Sequence, residues 1–250
     1  ISEPGTWTEF LAACETLKSN GVTPITIGTR YLWTAAGVFD YINLRTNGYD
    51  VHNQLTAGKI KYTDPRIRKT FEYWAELVNN DYFLENHATM SWQDAVAPFA
   101  SGEAAMYVMG NFSVDAYKNA GLTYDQIDYF PFPEITPGIP RAEEAPADAF
   151  FIPTNAKNKS DAKKWLAFVA RPDVQTEWNK AIGQLPINSK ASVTDLCLAA
   201  AFLSASPVLD LSKPREAKSM FKSLRSIAKS SSDIFLIFSL MLSDALRCSQ

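Results

Sequence analysis

The sequence predicts an α/β fold in which helices and short strands alternate. Three observations lead to this prediction. Helix-start signals are followed by apolar residues at helical spacing, and short β-branched segments lie between the helices. The two kinds of element then follow one another along the chain, which favours an α/β or mixed α+β architecture. The length of 250 residues suits one large domain or two small ones.

The first helix is predicted to begin after Thr6, because Thr6 and Glu9 have the spacing of a capping box. In a capping box, each side chain accepts a hydrogen bond from a backbone N–H that the helix leaves free. The apolar face of this helix is then Trp7, Phe10, Leu11, Cys14 and Leu17. Gly21 ends the helix, and the β-branched segment 23–27 is predicted to be a strand.

The remaining elements are predicted from similar signals. Asp64 and Pro65 mark a helix start, with an N-cap followed by proline in the first turn. The buried face of that helix is predicted to be Ile67, Phe71, Trp74 and Val78. Other helices are expected at 33–46, 91–99, about 160–170 and about 172–182. Further strands are expected at 104–109, 128–132 and 149–152.

The composition changes near residue 193. All 6 Trp, all 10 Tyr and all 11 Gly precede residue 194, whereas an evenly mixed sequence would place some of them later. A genuine helical segment, a natural linker with an anchor, and a foreign segment or reading-frame error starting near Thr194 all remain open. We therefore separate an α/β region, 1–193, from an anomalous Ser/Leu-rich tail, 194–250, that is helical or poorly ordered. No functional residue is assigned to the tail.

Several function classes are disfavoured by the composition. The net charge of −3 gives no reason to expect nucleic acid as a partner. Two His and three Cys argue against a metal site, and no phosphate-binding loop or nucleophile elbow occurs. We expect no metal, no cofactor and no enzymatic activity. His52 and His87 are interpreted as structural, and Glu143 and Glu144 as solvated loop charges.

Candidate ligand-binding residues lie at the ends of predicted elements, where binding sites often form. Trp33 follows the first strand and the loop 28–32, and Asn111 and Phe112 follow the strand at 104–109. Asp148 precedes the segment 149–152. Such a set suits a sugar, whose C–H face packs on an aromatic ring while its hydroxyls pair with carboxylate and amide groups.

Segment 99–112 carries a helix end, a strand, Gly110 and then a polar–aromatic pair. With it, in one order along the chain, occur the segments 4–21, 23–28, 39–45, 62–65, 74–78, 130–133, 148–158, 165–168, 171–173 and 183–186. In these segments the sequence closely resembles the extracellular solute-binding proteins of carbohydrate ABC importers. The resemblance covers about residues 4–193.

The resemblance implies a type II periplasmic-binding-protein-like fold, in which two α/β lobes close on a ligand. This chain would supply mostly the C-terminal lobe and the helical part. The implied function is capture of a mono- or oligosaccharide and its delivery to the membrane subunits of an ABC permease. The implied protein is a monomer, periplasmic or extracellular and membrane-associated. The signal segment and first βα units of the family have no counterpart here, so we expect an incomplete chain that binds sugar weakly or not at all.

By position in the family's pattern, Trp33 is the expected stacking residue, and Asn111 and Asp148 are the expected partners of sugar hydroxyls. The other candidates are two flanking aromatic residues and a carboxylate within a helix: Phe112, Tyr31 and Asp40. Each aromatic candidate could instead be a core residue, Asn111 or Asp148 a turn or capping residue, and Asp40 a residue that faces solvent. Trp92 is interpreted as a packing residue.

Two alternatives remain open. A carbohydrate-active hydrolase would need two carboxylates roughly 5 to 10 Å apart across one bond, and Asp40 and Asp148 are the pair to test. A truncated, non-functional product would instead leave apolar surface exposed and would bind hydrophobic dyes.

Overall fold

The computed structural model describes residues 1–123, 126–144, 148–182, 184 and 186–192. The chain divides into two compact units, 1–144 and 145–250, and each is described by itself. Cys197, Cys248 and the composition change near Thr194 lie outside the described residues. The domain boundary at residue 193 therefore stays a prediction.

Unit 1 contains six helices and two strands among its described residues. In chain order they are α1 (Trp7–Ser19), β1 (Thr23–Thr26), α2 (Trp33–Asn47), α3 (Tyr49–Thr56), α4 (Pro65–Asn79), α5 (Val96–Ala100), β2 (Ala104–Tyr107) and α6 (Val114–Asn119). Short 3₁₀ turns occupy His87–Thr89 and Asn111–Ser113. The predicted starts of α1, α2 and α4 and the two strands are confirmed.

The strands β1 and β2 form a parallel pair, with Thr23 opposite Ala104 and Ile25 opposite Met106. A parallel pair requires a long crossover connection, which the segment from α2 to α5 supplies. Ile25 also forms an isolated parallel bridge with Phe83. The α/β character predicted from the sequence is therefore present in unit 1.

The core of unit 1 is built on the buried face of α1. Trp7, Phe10 and Cys14 are buried together with residues of β1, α2 and α4. The capping box is formed, because the Thr6 side chain accepts from the Glu9 N–H and Glu9 accepts from the Thr6 N–H at 2.9 Å. The buried Trp7 ring satisfies its polar atom as well, since Nε1 donates to a Glu76 carboxylate oxygen at 2.8 Å.

The buried face of α4 differs from the predicted one. Ile67 and Leu77 are buried as apolar residues, but Phe71 and Val78 are exposed. The position expected for an apolar side chain is taken by Thr70, whose hydroxyl lies 3.2 Å from Oδ1 of the buried Asn43 in α2. The buried face of α4 is therefore offset by one residue from the predicted face, because a hydrogen-bonded polar side chain occupies one of the buried positions. The pattern of apolar residues alone does not reveal such a shift.

Two further predictions for unit 1 are wrong in part. Segment 128–132 forms no strand, although Phe132 is buried in the core as an apolar residue should be. The Phe132 carbonyl accepts instead from Nε of Arg45 at 2.9 Å. The helix expected at 91–99 begins only at Val96, because Ser91 and Asp94 close a turn ahead of it through mutual hydrogen bonds.

Buried polar contacts hold the C-terminal end of unit 1 in place. The Arg45 guanidinium is almost fully buried and donates to the carbonyls of Phe132 and Ala142 and, at 2.7 Å, to Glu143. Nε2 of the buried His52 lies 3.2 Å from a Glu144 oxygen. The prediction that Glu143 and Glu144 are solvated loop charges is therefore wrong: both carboxylates are paired.

The pair of His52 and Glu144 makes the stability of unit 1 depend on pH. The hydrogen bond to Glu144 raises the pKa of His52, with a smaller contribution from Asp40, and outweighs burial, which lowers it. A raised folded-state pKa stabilises the fold fully below the unfolded pKa of about 6.5, and this gain is lost as pH rises through the folded pKa.

We therefore expect the free energy of unfolding of the native chain, relative to that of His52→Gln, to fall between pH 6 and pH 8. The change should be below about 1 kcal/mol, since the pair is partly solvated. Urea unfolding of both proteins at the two pH values measures it. A difference that stays constant or grows with pH contradicts the assignment.

Unit 2 contains two helices among its described residues, α7 (Lys159–Val169) and α8 (Pro172–Ile182). These confirm the predicted helices, whereas the strand expected at 149–152 is absent and Phe150 and Phe151 are exposed. The Phe150 ring meets the Trp165 ring edge-on, with centroids 4.9 Å apart. Of the helices that the structure describes in either unit, none combines the length and apolar character needed to cross a bilayer.

Candidate ligand-binding surface

The loop between β1 and α2 presents apolar side chains to the outside. Tyr31 is 62%, Leu32 72% and Trp33 45% exposed. Leu32 adopts a left-handed backbone conformation, with φ at 60°. This conformation costs a non-glycine residue roughly 1–3 kcal/mol and is found preferentially at functional sites. The loop therefore has a strained backbone directly before Trp33. Trp33 is the first residue of α2, and its side chain is accessible.

Hydrogen bonds hold this loop in place from both sides. The Thr29 N–H donates to the His87 carbonyl at 2.9 Å, and the Arg30 N–H donates to the Met90 carbonyl at 3.0 Å. On the other side, the hydroxyl of Thr34 in α2 donates to the Gly28 carbonyl at 2.6 Å. The loop is thus tied both to segment 87–90 and to the first turn of the helix that it precedes.

Gly28 allows the loop to lie directly on a neighbouring segment. A Cβ atom at this position would lie 2.0 Å from the Ser91 carbonyl oxygen and 2.9 Å from that of Met90. Both are backbone atoms, which cannot turn aside as a side chain can. Glycine is required here because two backbones approach closely, and a larger residue would push the segments apart.

Three aromatic rings meet beside the loop. The centroids of Trp33 and Phe112 are 6.2 Å apart, and Trp92 meets Phe112 edge-on at 5.4 Å. The carbonyl of Trp92 accepts from the Tyr107 hydroxyl at 2.8 Å, which ties it to β2. We call Tyr31, Trp33, Trp92 and Phe112 the aromatic surface. Edge-on and tilted contacts of this kind are arrangements that aromatic pairs prefer.

A 3₁₀ turn and one charged side chain lie beside the aromatic surface. Asn111 opens the 3₁₀ turn that carries Phe112, and the Ser113 hydroxyl closes this turn by donating to the Gly110 carbonyl at 2.7 Å. The guanidinium carbon of Arg30 lies 5.5 Å from the centroid of the Tyr31 ring. Flat rings beside hydrogen-bonding groups suit a ligand with an apolar face and a polar edge.

The structure brings some of the predicted site residues of unit 1 together. Trp33 and Phe112 are in contact, with Tyr31 and Asn111 adjacent to them in the chain. Asp40 lies two turns along α2 among other ionisable groups, where burial, and next the nearby Glu144, raise its pKa. Asp148 is an exposed residue of unit 2, and the strand expected after it is absent.

Sequence reasoning missed two residues of this region. Trp92 contacts Phe112 edge-on, which agrees with its interpretation as a packing residue. Gly28 and His87 were not recognised as supports of the loop. The spacing of Ser91 and Asp94 signals the turn that positions Trp92. No local signal marks His87, since its partner lies 58 residues away.

The fold and the aromatic surface can be compared with known proteins. Residues 1–176 match the sequence model of the family described as bacterial extracellular solute-binding protein. This chain belongs to that family. The family resemblance inferred from the sequence is confirmed, and so is the type II fold class, which this solute-binding protein shares with solved structures over part of their length.

Relatives of the solute-binding protein include transport receptors. An uncharacterized ABC transporter extracellular-binding protein of Pyrococcus horikoshii is 33% identical over 178 residues, which are 71% of this chain and 39% of that protein. A protein named as a probable sugar-binding periplasmic protein of Mesorhizobium japonicum is 29% identical over 126 residues, which are 49% of this chain and 29% of that protein. These relatives are named as binding proteins and not as enzymes.

Among solved structures, the bacterial solute receptor AcbH, described as having an exclusive preference for β-D-galactopyranose, superposes with a TM-score of 0.65 at 27% identity. The match covers 82% of this chain and 54% of that one. A chitin oligosaccharide binding protein has the same fold, with a TM-score of 0.61 at 19% identity over 78% of this chain and 49% of that one. The solute-binding protein thus spans about half the length of these structures.

Proposed function

We propose that the solute-binding protein binds a carbohydrate, for which the aromatic surface forms one wall. The observation that carries this proposal is the exposed Trp33 ring, held by a strained loop and supported by Phe112. A fold gains nothing in stability from exposing such a ring on a strained backbone, so a ligand is the simpler explanation. The names of several relatives as sugar-binding proteins support it.

In this proposal, binding involves no bond formation or cleavage. The C–H face of a sugar ring packs on Trp33, while Phe112 and Tyr31 flank it. Asn111 pairs with its hydroxyl groups, since an amide can both donate and accept hydrogen bonds. In unit 2, Asp148 is a further proposed partner of sugar hydroxyls, since a carboxylate can accept from two neighbouring hydroxyls. Asp40 is the weakest candidate, because its partners are other ionisable groups.

The wider role is proposed on the same basis. The sugar, a mono- or oligosaccharide, would be handed to the membrane subunits of an ABC permease, in the periplasm or at the outer face of the cell. We propose a monomer. Since affinity for a small ligand depends on burying most of its surface, a single wall should give only millimolar affinity.

A tryptophan substitution tests the sugar-binding surface. We expect Trp33→Ala to weaken binding of galactose or glucose about tenfold or more, because the ring supplies the apolar contact. Trp165→Ala in unit 2 is the matched control, since Trp165 is 43% exposed and is not one of the residues that define the aromatic surface. Ligand-observed NMR titration at millimolar sugar measures both variants beside the native chain.

The outcomes are distinct. Weakening by Trp33→Ala alone supports the proposal. Equal weakening by both substitutions, or no binding of either sugar to the native chain at these concentrations, contradicts it.

A further inference from the structure

His87 stands at the start of a chain of hydrogen bonds that reaches Leu32, the residue directly before Trp33. Nδ1 of His87 lies 2.8 Å from the Thr29 hydroxyl, and the His87 carbonyl accepts from the Thr29 N–H. The Thr29 carbonyl in turn accepts from the Leu32 N–H at 2.9 Å. The backbone N–H and the side-chain hydroxyl of Thr29 therefore both contact His87.

The Leu32 contact is the one that closes the turn. It fixes the residue with the left-handed backbone, directly before Trp33, and the Trp33 N–H then donates to the Tyr31 carbonyl at 2.7 Å. A left-handed conformation is disfavoured for leucine, so the turn persists only where surrounding contacts over-determine it. Thr29, which is buried, is the point through which those contacts act.

The half-buried His87 is itself held by contacts to residues 83 and 84. Its N–H donates to the Leu84 carbonyl at 3.2 Å, within the segment that leads into the His87–Thr89 turn. Its ring lies 6.1 Å from the ring of Phe83, which packs against the core and bridges to β1. A histidine anchored in this way can hold a loop in one conformation, whereas a solvated side chain could not.

We propose that His87 is a positioning residue of the ligand-binding surface, acting through Thr29 to hold the loop 28–33 in the conformation that exposes Trp33. The expected effect of His87 on sugar affinity rests on the proposed function. The control of the loop by His87 is measurable without any ligand.

Three substitutions test this role. Thr29→Val removes the hydroxyl and keeps the shape, His87→Phe removes the ring nitrogens, and His87→Asn keeps a polar atom near the position of Nδ1. His52→Phe is the matched control, because it removes the other histidine, whose partners are Asn43 and Glu144.

The readouts are amide hydrogen exchange at Leu32, sugar affinity by NMR titration, and the thermal midpoint. We expect Thr29→Val and His87→Phe each to speed exchange at Leu32 and to weaken sugar binding by about five- to tenfold, the size of one lost hydrogen bond. The double variant should be no worse than either single variant, since both remove the same contact. His87→Asn should restore most of the protection.

The control separates positioning from stability. His52→Phe should lower the thermal midpoint and leave both Leu32 exchange and sugar affinity unchanged. Unchanged Leu32 exchange in His87→Phe, or additive effects in the double variant, overturns the proposal. If His87→Phe speeds exchange but the native chain binds no sugar, the positioning role stands and the proposed function fails.

Discussion

Gly28→Ala is expected to destabilise unit 1 by about 3 kcal/mol or more. Overpacking of a well-packed site costs about 1–3 kcal/mol where side chains can adjust, and here the new methyl group meets backbone atoms. The nearest is the Ser91 carbonyl oxygen, 2.0 Å from the ideal Cβ position. Either the loop 28–33 or the segment at Ser91 must move, so the variant should lose the aromatic surface as well as stability. Urea unfolding followed by tryptophan fluorescence measures the change.

A second glycine provides the control for this prediction. Gly37 lies within α2, and a Cβ placed there meets no atom within 4 Å. Gly37→Ala should therefore stabilise the protein slightly, by up to about 1 kcal/mol, because alanine favours the helix. If Gly28→Ala were as stable as Gly37→Ala, the close approach at Ser91 would be wrong.

Arg45→Ala is expected to cost about 3–5 kcal/mol of stability. The guanidinium is buried and serves two carbonyls as well as Glu143, whose side chain is itself mostly buried. Removing one partner of a buried ion pair leaves the other charge without compensation, which accounts for most of the loss. Burial lowers the pKa of Arg45 and the Glu143 carboxylate opposes that shift, so the two groups depend on one another.

The comparison for Arg45 is an exposed arginine. Arg66 pairs with Asp64 at 2.9 Å on the surface, and Arg66→Ala should cost no more than about 1 kcal/mol. A second comparison, Arg45→Met with Glu143→Leu, should recover much of the stability lost in Arg45→Ala, because no unpaired charge remains. Equal losses from Arg45→Ala and Arg66→Ala in urea unfolding would contradict the buried role.

Elements with a local signal were the ones predicted well. The capping box at Thr6 and the Asp64–Pro65 helix start lie within a few residues of the structure they specify. Segment 128–132 has the composition of a strand, but a strand also needs a partner, and the Phe132 carbonyl is taken by Arg45 from 87 residues away. A hydrogen bond between residues so far apart in the chain cannot be predicted from the local sequence around residues 128–132.

The candidate surface shows the same division. Trp33 and Phe112 each follow a strand in the sequence, and parallel strands bring their carboxyl ends to one edge of the sheet. His87 reaches the surface from a separate segment, so a pattern of neighbours could not reveal it. The adjacent glutamates 143 and 144 are indistinguishable in sequence from solvated charges, and only their tertiary partners show otherwise.

The parallel pairing of β1 with β2 also sets the order in which unit 1 can fold during synthesis. Thr23 pairs with Ala104, and Thr6 bridges to Glu134 still later in the chain. At about 5–20 residues per second, a ribosome needs roughly 4–16 s to make the stretch between the paired strands. Throughout that time β1 has no strand to pair with. The nascent chain therefore presents an unpaired strand to its surroundings until most of unit 1 has been translated, and it is in this interval that a holding chaperone would protect it most.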